Sequence, residues 1–289
     1  MNPWTGRDDT AGTPPDTMTA VTDRPRLSIV VPAYNEEAVI GRFIESVRTD
    51  VSPLGVTWEI LVVDDGSADK TAAIVRDASR ADGRVQLLET AHRGKGAAVR
   101  EGFLAARGEW VLMADADLSM PWDNLRRFFD VAAEDPAPQV IIASREAPGA
   151  QRTGETWKRR ISGRVFNALV RLVAVPGIHD TQCGYKMLSA EAVAALAPNL
   201  TIDGFAFDVE LLYLARRAGF QIREVGIICH CRQESRVRVR LGVEAVADIV
   251  RVRLNARPTS YSARRPLPGP ASSPDRPRDS SCTPSPPYR

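Results

Sequence analysis

The chain has 289 residues, with 38 basic and 36 acidic side chains, a formal charge of +2 and an apolar fraction of 44%. These values are typical of a globular protein that can bury a full core. The balanced charge gives no argument for nucleic acid or for an acidic partner, and we expect no nucleic-acid partner. Every apolar run is interrupted before the roughly 18 to 20 residues that a membrane-spanning helix needs. The four cysteines lack paired spacing and no signal-peptide pattern opens the chain, so we expect a cytoplasmic protein.

Short apolar runs alternate with helical periodicity along most of the chain. The sequence predicts strands at residues 27–31, 59–63, 85–88, 110–114 and 140–144. It predicts helices at residues 36–47, 67–80, 97–106 and 124–133, with Asn35 and Ser67 as N-caps of the first two. Further along, we expect a helical stretch at 156–173, a helix at 208–217 and a strand near 221–228.

Strands that are apolar throughout and separated by single helices predict a doubly wound α/β domain, with a mostly parallel sheet covered by helices on both faces. In such sheets, ligands bind beyond the carboxyl ends of the strands. Polar residues follow the predicted strands at 32–36, 64–67 and 115–119, and all of them fall on that edge. The sequence therefore predicts one shared site there.

The composition changes at both ends of the chain. Residues 1–25 are rich in Thr, Asp, Pro and Gly, and residues 257–289 are rich in Pro, Ser and Arg, so we expect both tails to be disordered. Between them, we expect a folded domain at 26–235 and an amphipathic helical segment at 236–256, where Arg alternates with Val and Leu.

Asp115 and Asp117 lie two residues apart after a predicted strand. Alternate residues of an extended chain point the same way, so both carboxylates can face one ion. Their hard oxygen atoms suit Mg²⁺ or Mn²⁺ bridging a diphosphate. An isolated Asp-x-Asp is more often a solvated turn, but its position on the ligand edge favours the metal site.

Two other polar segments leave alternatives open. Asp64, in the run Asp64–Asp65–Gly66–Ser67, is placed to accept hydrogen bonds from a ribose or base, yet the same residues are equally typical of a turn with a helix cap. Lys95, between Gly94 and Gly96, is placed either to contact phosphate or to lie in a flexible loop.

Charged residues in the second half of the chain are also ambiguous. A basic cluster is equally consistent with phosphate binding and with a solvated helix face; its members are Arg145, Arg152, Lys158, Arg159, Arg160 and Arg164. Asp180, Asp208 and Glu210 are acids near apolar stretches, each of which fits a base or a structural cap.

Taken together, several motifs resemble those of glycosyltransferase family 2, whose members have the GT-A fold. They are Ser28–Glu37 (SIVVPAYNEE), Val62–Ser67 (VVDDGS), Gly94–Gly96 (GKG) and Asp115–Asp117 (DAD). Two later motifs, Ala143–Arg145 (ASR) and Asp180–Lys186 (DTQCGYK), are similar to the polyprenyl or dolichyl phosphate sugar transferase branch, and the glucosyl subgroup is the closer match. The ordered set is far more specific than any single motif.

The resemblance implies roles for individual residues. It implies a sugar-nucleotide site made of Pro32, Tyr34, Glu36, Asp64, Lys95, Asp115 and Ala116. It implies that Asp115 and Asp117 ligate Mg²⁺ or Mn²⁺, and that Asp117 and Asp180 are catalytic residues, with Asp180 near the reacting centre. It implies an acceptor phosphate site made of Arg145, Arg159, Arg160, Ser162 and Arg164.

The implied reaction moves a hexose, expected to be glucose from UDP-glucose, onto a polyprenyl or dolichyl phosphate with inversion. GDP-mannose as donor, a saccharide acceptor and an inert nucleotide-sugar-binding protein are the alternatives. Ser119 replaces the Gln of the mannosyl branch, which favours glucose, whereas Glu234–Ser235–Arg236 departs from the usual Gly-Ser-Lys. A lipid acceptor implies peripheral contact with the cytoplasmic face of a membrane.

Overall fold

The computed structural model of the protein describes residues 24–153 and 175–230. The strands are β1 (Leu27–Ala33), β2 (Trp58–Asp64), β3 (Val85–Glu89), β4 (Trp110–Met113), β5 (Val140–Ser144), β6 (Gln151–Thr153), β7 (Lys186–Ser189), β8 (Ile222–Gly226) and β9 (Ile228–His230). The α-helices are α1 (Ile40–Ser46), α2 (Thr71–Ala81), α3 (Lys95–Ala105), α4 (Asp123–Ala132), α5 (Ala190–Leu196) and α6 (Phe207–Arg217). A π-helix at Val47–Val51 and 3-10 helices at Ser52–Leu54 and Ala197–Asn199 follow α1 and α5.

The main sheet has seven strands in the order β3-β2-β1-β4-β7-β5-β8. All neighbouring pairs are parallel except those of β7, which runs antiparallel between β4 and β5. A short parallel pair, β6 and β9, lies outside this sheet. The mostly parallel sheet predicted from the apolar strands is therefore confirmed for the described residues.

Helices cover both faces of the sheet, each over its own apolar cluster. Helices α1, α2 and α4 pack over one face, with Phe43 and Phe128 buried between them and the strands. Helices α3, α5 and α6 pack over the other face, with Phe103 and Phe207 buried. This two-sided burial explains why strands such as β2 are apolar along almost their whole length.

The antiparallel strand β7 and helix α5 were not predicted. Strand β7 is only four residues long and begins with a charged residue, Lys186, so its sequence lacks the apolar run expected of a central strand. Lys186 pairs in register with Met113, the last residue of β4. Strand β7 therefore lies directly beside the strand that leads to Asp115.

The predicted N-caps of the first two helices are wrong. The N-cap residue of α1 is Val39, and α2 begins only at Thr71, whose backbone N–H donates to Asp69 Oδ1 at 2.9 Å. Asn35 has φ 53°, and its N–H donates to Ser67 Oγ at 2.9 Å, while its own Oδ1 accepts from Ala68 N–H at 2.9 Å. Asn35 and Ser67 therefore join the loops after β1 and β2 to each other.

Several sequence predictions fall on residues outside the described ranges. These are the helical stretch at 156–173, the amphipathic segment at 236–256 and almost all of both predicted tails. Arg24 and Pro25, assigned to the first tail, are bonded to the domain: Arg24 Nε donates to Arg107 O at 2.6 Å, and Pro25 O accepts from Glu109 N–H at 3.0 Å. Among the described helices, none has the length and apolar composition needed to cross a membrane.

Candidate active site

Asp64 is the last residue of β2 and lies at the carboxyl edge of the sheet, in register with Ala33 of β1. Its side chain is buried, and Oδ2 accepts from Ser67 N–H at 3.2 Å. Within the described part of the chain, Oδ1 has no hydrogen-bond partner. A buried carboxylate oxygen without a donor is costly, so this atom is suited to accept a hydrogen bond from a ligand.

An aromatic stack stands next to Asp64. The ring of Tyr34, which is 41% exposed, lies parallel to the ring of His92 with 4.1 Å between centroids. His92 Nδ1 lies 2.8 Å from Asp65 Oδ2, and the buried Asp65 also accepts from the backbone N–H groups of Arg93 and Gly94 at 2.8 and 2.9 Å. Asp65 therefore organises the loop that carries His92, a residue that sequence reasoning missed.

Pro32 and Glu36 occupy fixed backbone positions near the same edge. Pro32 lies within β1 opposite Val63. The N–H of Glu36 donates to Thr71 Oγ1 at 2.8 Å, and its carbonyl accepts from Ile40 N–H at 2.9 Å. Both residues thus support the loop that carries Tyr34, and their direct contact with a nucleotide stays a prediction.

Lys95 forms an ion pair with Asp115, with 2.6 Å between Nζ and Oδ1. Lys95 is the first residue of α3, and Asp115 follows β4, so the pair joins elements that are distant in sequence. Burial alone would lower the pKa of Lys95, but the charges of Asp115 and Asp208 outweigh it and hold that pKa above its usual value. The nearby acids therefore favour the ammonium form of Lys95 in this site.

The glycines on either side of Lys95 allow close packing of the backbone. Gly96 N–H donates to Asp203 O at 2.7 Å, and a Cβ atom at Gly94 or Gly96 would overlap the backbone of residues 202–204. Gly94 also has φ 124°, a conformation that other residues rarely adopt. The flexible-loop interpretation of this segment is therefore wrong, because its backbone is packed and hydrogen-bonded.

Asp117 is partly exposed beside the buried Ala116, and its Oδ1 accepts from Ser119 N–H at 2.9 Å. No group of three potential protein ligands is placed to hold a metal ion within residues 24–153 and 175–230. Strand β4 ends at Met113 and residues 116 and 117 form a turn, so the extended geometry from which both carboxylates were expected to face one ion is wrong. Carboxylate oxygens are the donor type that Mg²⁺ or Mn²⁺ takes together with a diphosphate, and the assignment of that metal to Asp115 and Asp117 stays a prediction.

Arg145 and Asp180 form a bidentate ion pair. Asp180, with a side chain 1% exposed, accepts from Arg145 Nε at 2.7 Å, Nη2 at 2.9 Å and backbone N–H at 2.9 Å. Burial raises the pKa of Asp180, but the hydrogen bonds and charge of Arg145 outweigh it and hold that pKa below its usual value. The geometry favours a carboxylate that orients Arg145, which follows β5 at the same edge.

Gly184 lies against Asp115. A Cβ atom at position 184 would overlap the Oδ2 atom of the Asp115 carboxylate. Asp180 and Gly184 belong to one short segment, so this segment contacts both the predicted acceptor cation and the predicted donor-site carboxylate.

Lys186 ends this segment and is wholly buried. Its Nζ donates to Cys183 O and to Asp208 Oδ1, both at 2.6 Å. Burial raises the pKa of Asp208, and the nearby Lys186 and Lys95 only partly oppose this shift. Sequence reasoning gave Lys186 no role of its own, and its one signal was a lysine at the start of an otherwise apolar four-residue run.

The contacts of Glu210 decide between the two roles that its sequence position allowed. Glu210 accepts from Thr201 N–H, Thr201 Oγ1 and Ile202 N–H at 2.6 to 3.1 Å, so it anchors the loop before α6 as a structural carboxylate.

Four predicted acceptor residues lie outside the described residues: Arg159, Arg160, Ser162 and Arg164. Of that set, the structure places Arg145.

The chain matches the family model described as "Glycosyl transferase family 2" over residues 28–196. It is 33% identical over 241 residues to a dolichyl-phosphate β-glucosyltransferase of Trichomonas vaginalis, covering 80% of this chain and 71% of that protein. It is also 31% identical to the Saccharomyces cerevisiae dolichyl-phosphate β-glucosyltransferase over 79% of this chain and 74% of that protein. The human dolichyl-phosphate β-glucosyltransferase is 32% identical over 73% and 70%.

Solved structures with little sequence identity have the same fold. The mannosyl-3-phosphoglycerate synthase of Rubrobacter xylanophilus aligns with a TM-score of 0.63 at 18% identity, covering 80% of this chain and 75% of that one. The glucosyl-3-phosphoglycerate synthase of Mycobacterium tuberculosis, in complex with Mn²⁺, UDP and phosphoglyceric acid, aligns with a TM-score of 0.60 at 20% identity over 81% and 78%. These likenesses confirm the GT-A fold. The chain therefore belongs to glycosyl transferase family 2, where its sequence places it with hexosyltransferases of the dolichyl-phosphate β-glucosyltransferase type.

Proposed function

We propose that this chain transfers glucose from UDP-glucose to a polyprenyl phosphate such as dolichyl phosphate, with inversion at the anomeric carbon and release of UDP. The relatives in Trichomonas vaginalis, Saccharomyces cerevisiae and human are dolichyl-phosphate β-glucosyltransferases, which supports both the acceptor and the sugar. A synthase of the same fold was crystallised with Mn²⁺ and UDP-glucose, which supports a uridine nucleotide and a divalent metal.

The observation that carries this proposal is the position of residues 180–186 between two charged groups. At one end of the segment, Asp180 holds the guanidinium of Arg145. Four residues later, Gly184 packs on Asp115. The predicted acceptor cation and the predicted metal-site carboxylate thus contact the same short segment, which supports the transfer of a sugar between two phosphates.

On the donor side, Asp64 Oδ1 is the acceptor for a hydroxyl or N–H group of the nucleotide, and the exposed ring of Tyr34 is the surface for its base. Asp115 and Asp117 hold the divalent metal, which supplies positive charge to the leaving diphosphate when it is bound. Lys95, which is paired with Asp115, is a second positive charge available to the same diphosphate.

On the acceptor side, Arg145 binds the lipid phosphate. Its guanidinium side chain keeps 26% of its surface exposed while Asp180 fixes its orientation. A phosphate monoester has its second pKa near ~6, so the nucleophile is largely ionised at neutral pH. The site therefore needs to position the phosphate more than to deprotonate it, and Asp180 acts as a positioning residue.

A lipid acceptor also places the reaction at a membrane surface. We extend the proposal to peripheral attachment at the cytoplasmic face, through the amphipathic segment at 236–256, in which Arg alternates with apolar residues. Flotation of the protein with anionic vesicles tests this part alone. Recovery of the protein entirely in the unbound fraction would contradict membrane attachment.

The transfer itself is tested with purified full-length protein, a short polyprenyl phosphate in detergent, and Mg²⁺ or Mn²⁺. Labelled UDP-glucose and GDP-mannose are supplied in parallel, and label is counted in the organic phase. We expect transfer from UDP-glucose. Transfer from GDP-mannose alone would contradict the glucose assignment, and no organic-phase label from either donor would remove the lipid acceptor.

A further inference from the structure

The ammonium group of Lys95 is paired with Asp115, the carboxylate that the proposed function assigns to the metal. Its Nζ lies 2.6 Å from Asp115 Oδ1, and about a fifth of the Lys95 side chain is exposed. A divalent cation on the same carboxylate would meet this ammonium at short range. Two like charges sharing one partly buried carboxylate repel each other, so lysine and metal compete for Asp115.

Lys95 has few ways to avoid this competition. Its backbone is held in place, because Gly96 N–H is bonded to Asp203 O and Gly94 packs on the same residue. The other acids whose charges act on it are Asp117, whose Oδ1 accepts from Ser119 N–H at 2.9 Å, and Asp208. Oδ1 of that carboxylate already accepts from the buried Lys186 at 2.6 Å. The side chain of Lys95 therefore moves off Asp115 most favourably when another anion is offered.

A nucleoside diphosphate is such an anion. We propose that Lys95 couples the binding of the divalent metal to the binding of the nucleoside diphosphate, by competing with the metal for Asp115 and releasing that carboxylate to it when the diphosphate arrives. This inference rests on the proposed function for the identity of the donor. Because such coupling is reciprocal, the diphosphate strengthens metal binding by the same factor by which the metal strengthens diphosphate binding.

The coupling is measured as Mn²⁺ binding followed by electron paramagnetic resonance, with and without saturating UDP, and with no sugar or lipid present. Lys95→Met removes the charge and keeps most of the side-chain length. We expect it to bind Mn²⁺ alone about 5- to 50-fold more tightly than the wild type, within the usual range of coupling energies. In the same variant, UDP raises the Mn²⁺ affinity by a smaller factor than it does in the wild type.

Two further variants show whether an effect of Lys95→Met comes from the loss of the charge at this position. Lys95→Arg keeps the charge, so its binding of Mn²⁺ alone stays close to that of the wild type. Arg76→Met removes a cation that is paired with Glu89 on an exposed surface, and it leaves Mn²⁺ binding unchanged. If Lys95→Met does not fold by circular dichroism, Lys95→Gln carries the same prediction.

Mn²⁺ binding to Lys95→Met that is equal to or weaker than wild-type binding overturns the coupling. So does a wild type whose Mn²⁺ affinity is unaffected by UDP. These results are separate from the proposed reaction, because none of them depends on transfer. A failed transfer assay with tighter Mn²⁺ binding in Lys95→Met would contradict the acceptor and leave the coupling in place.

Discussion

Gly184 lies so close to Asp115 that a single added carbon would overlap the carboxylate. Gly184 precedes β7 and Asp115 follows β4, and these two strands pair antiparallel with Lys186 opposite Met113. The contact therefore depends on the one antiparallel strand of the main sheet. Through this contact, the position of Asp115 depends on residues 180–184, whose Asp180 binds Arg145.

Replacement of Gly184 by Ala tests this contact. The new methyl group forces the Asp115 carboxylate out of position, and a displacement of about 1 Å in a reacting site costs roughly 100-fold in rate. We expect kcat to fall by about that factor, while the melting temperature changes little because Asp115 is partly exposed. Gly83→Ala is the matched control, since nothing lies within 4 Å of its added carbon. Equal kcat values in the two variants would contradict the role of Gly184.

Arg145→Lys tests the acceptor side. Lysine keeps the positive charge beside Asp180 but cannot make both guanidinium bonds to it or bind a phosphate in bidentate fashion. We expect the KM for polyprenyl phosphate to rise about 10- to 100-fold, which corresponds to the loss of charged hydrogen bonds. The KM for UDP-glucose should stay within about twofold, in line with the neutral effect of a distant substitution. A similar increase in both KM values would argue against acceptor binding by Arg145.

Stability at acid pH reports on the Arg145 and Asp180 pair. The folded protein holds the pKa of Asp180 below 3.8, so the ionised carboxylate stabilises the fold above that pH. This contribution is lost as the pH falls through the lowered pKa. The difference in unfolding free energy between wild type and Asp180→Asn should therefore be constant from about pH 7 to 5 and shrink below about pH 4. Urea unfolding measures it, and a difference that is as large at pH 3 as at pH 7 would be inconsistent with the pair.

Asp117→Ala tests the metal site. Loss of one of two charged ligands leaves the diphosphate poorly neutralised, so metal-dependent turnover should fall by about 100-fold or more. Because Asp117 is partly exposed, the fold should be retained. Asp77→Ala is the control, since it removes an exposed carboxylate that pairs with Arg80 on a helix surface. Turnover of Asp117→Ala at the wild-type rate with the same Mn²⁺ dependence would remove the metal assignment.

Much of the fold and of the donor side follows from local sequence patterns. The apolar strands of the described sheet have the predicted order of appearance, and Asp64 and Asp115 stand at its carboxyl edge because parallel strands bring their ends together. The periodicity of a strand, and the burial it implies, can be read from four or five neighbouring residues.

The pairings inside the site could not be predicted in this way. Lys95 and Asp115 meet because glycines allow α3 to pack on residues 202–204, which lie far away in sequence. Arg145 and Asp180 meet because β7 returns between β4 and β5. Strand β7 is too short and too polar at its start to be recognised from sequence. The acids that pair with Lys95 and Arg145 could not be predicted, because these pairs depend on the order of the strands in the sheet.

The most direct test of the central claim is the structure of the reaction product. Purified protein is incubated with UDP-glucose and a short polyprenyl phosphate, and the organic-phase product is analysed by mass spectrometry and proton magnetic resonance. We expect one hexose linked through a single phosphate in the β configuration, with one UDP released per product. An α-linked product, or release of UMP with a diphosphate-linked sugar, would contradict it.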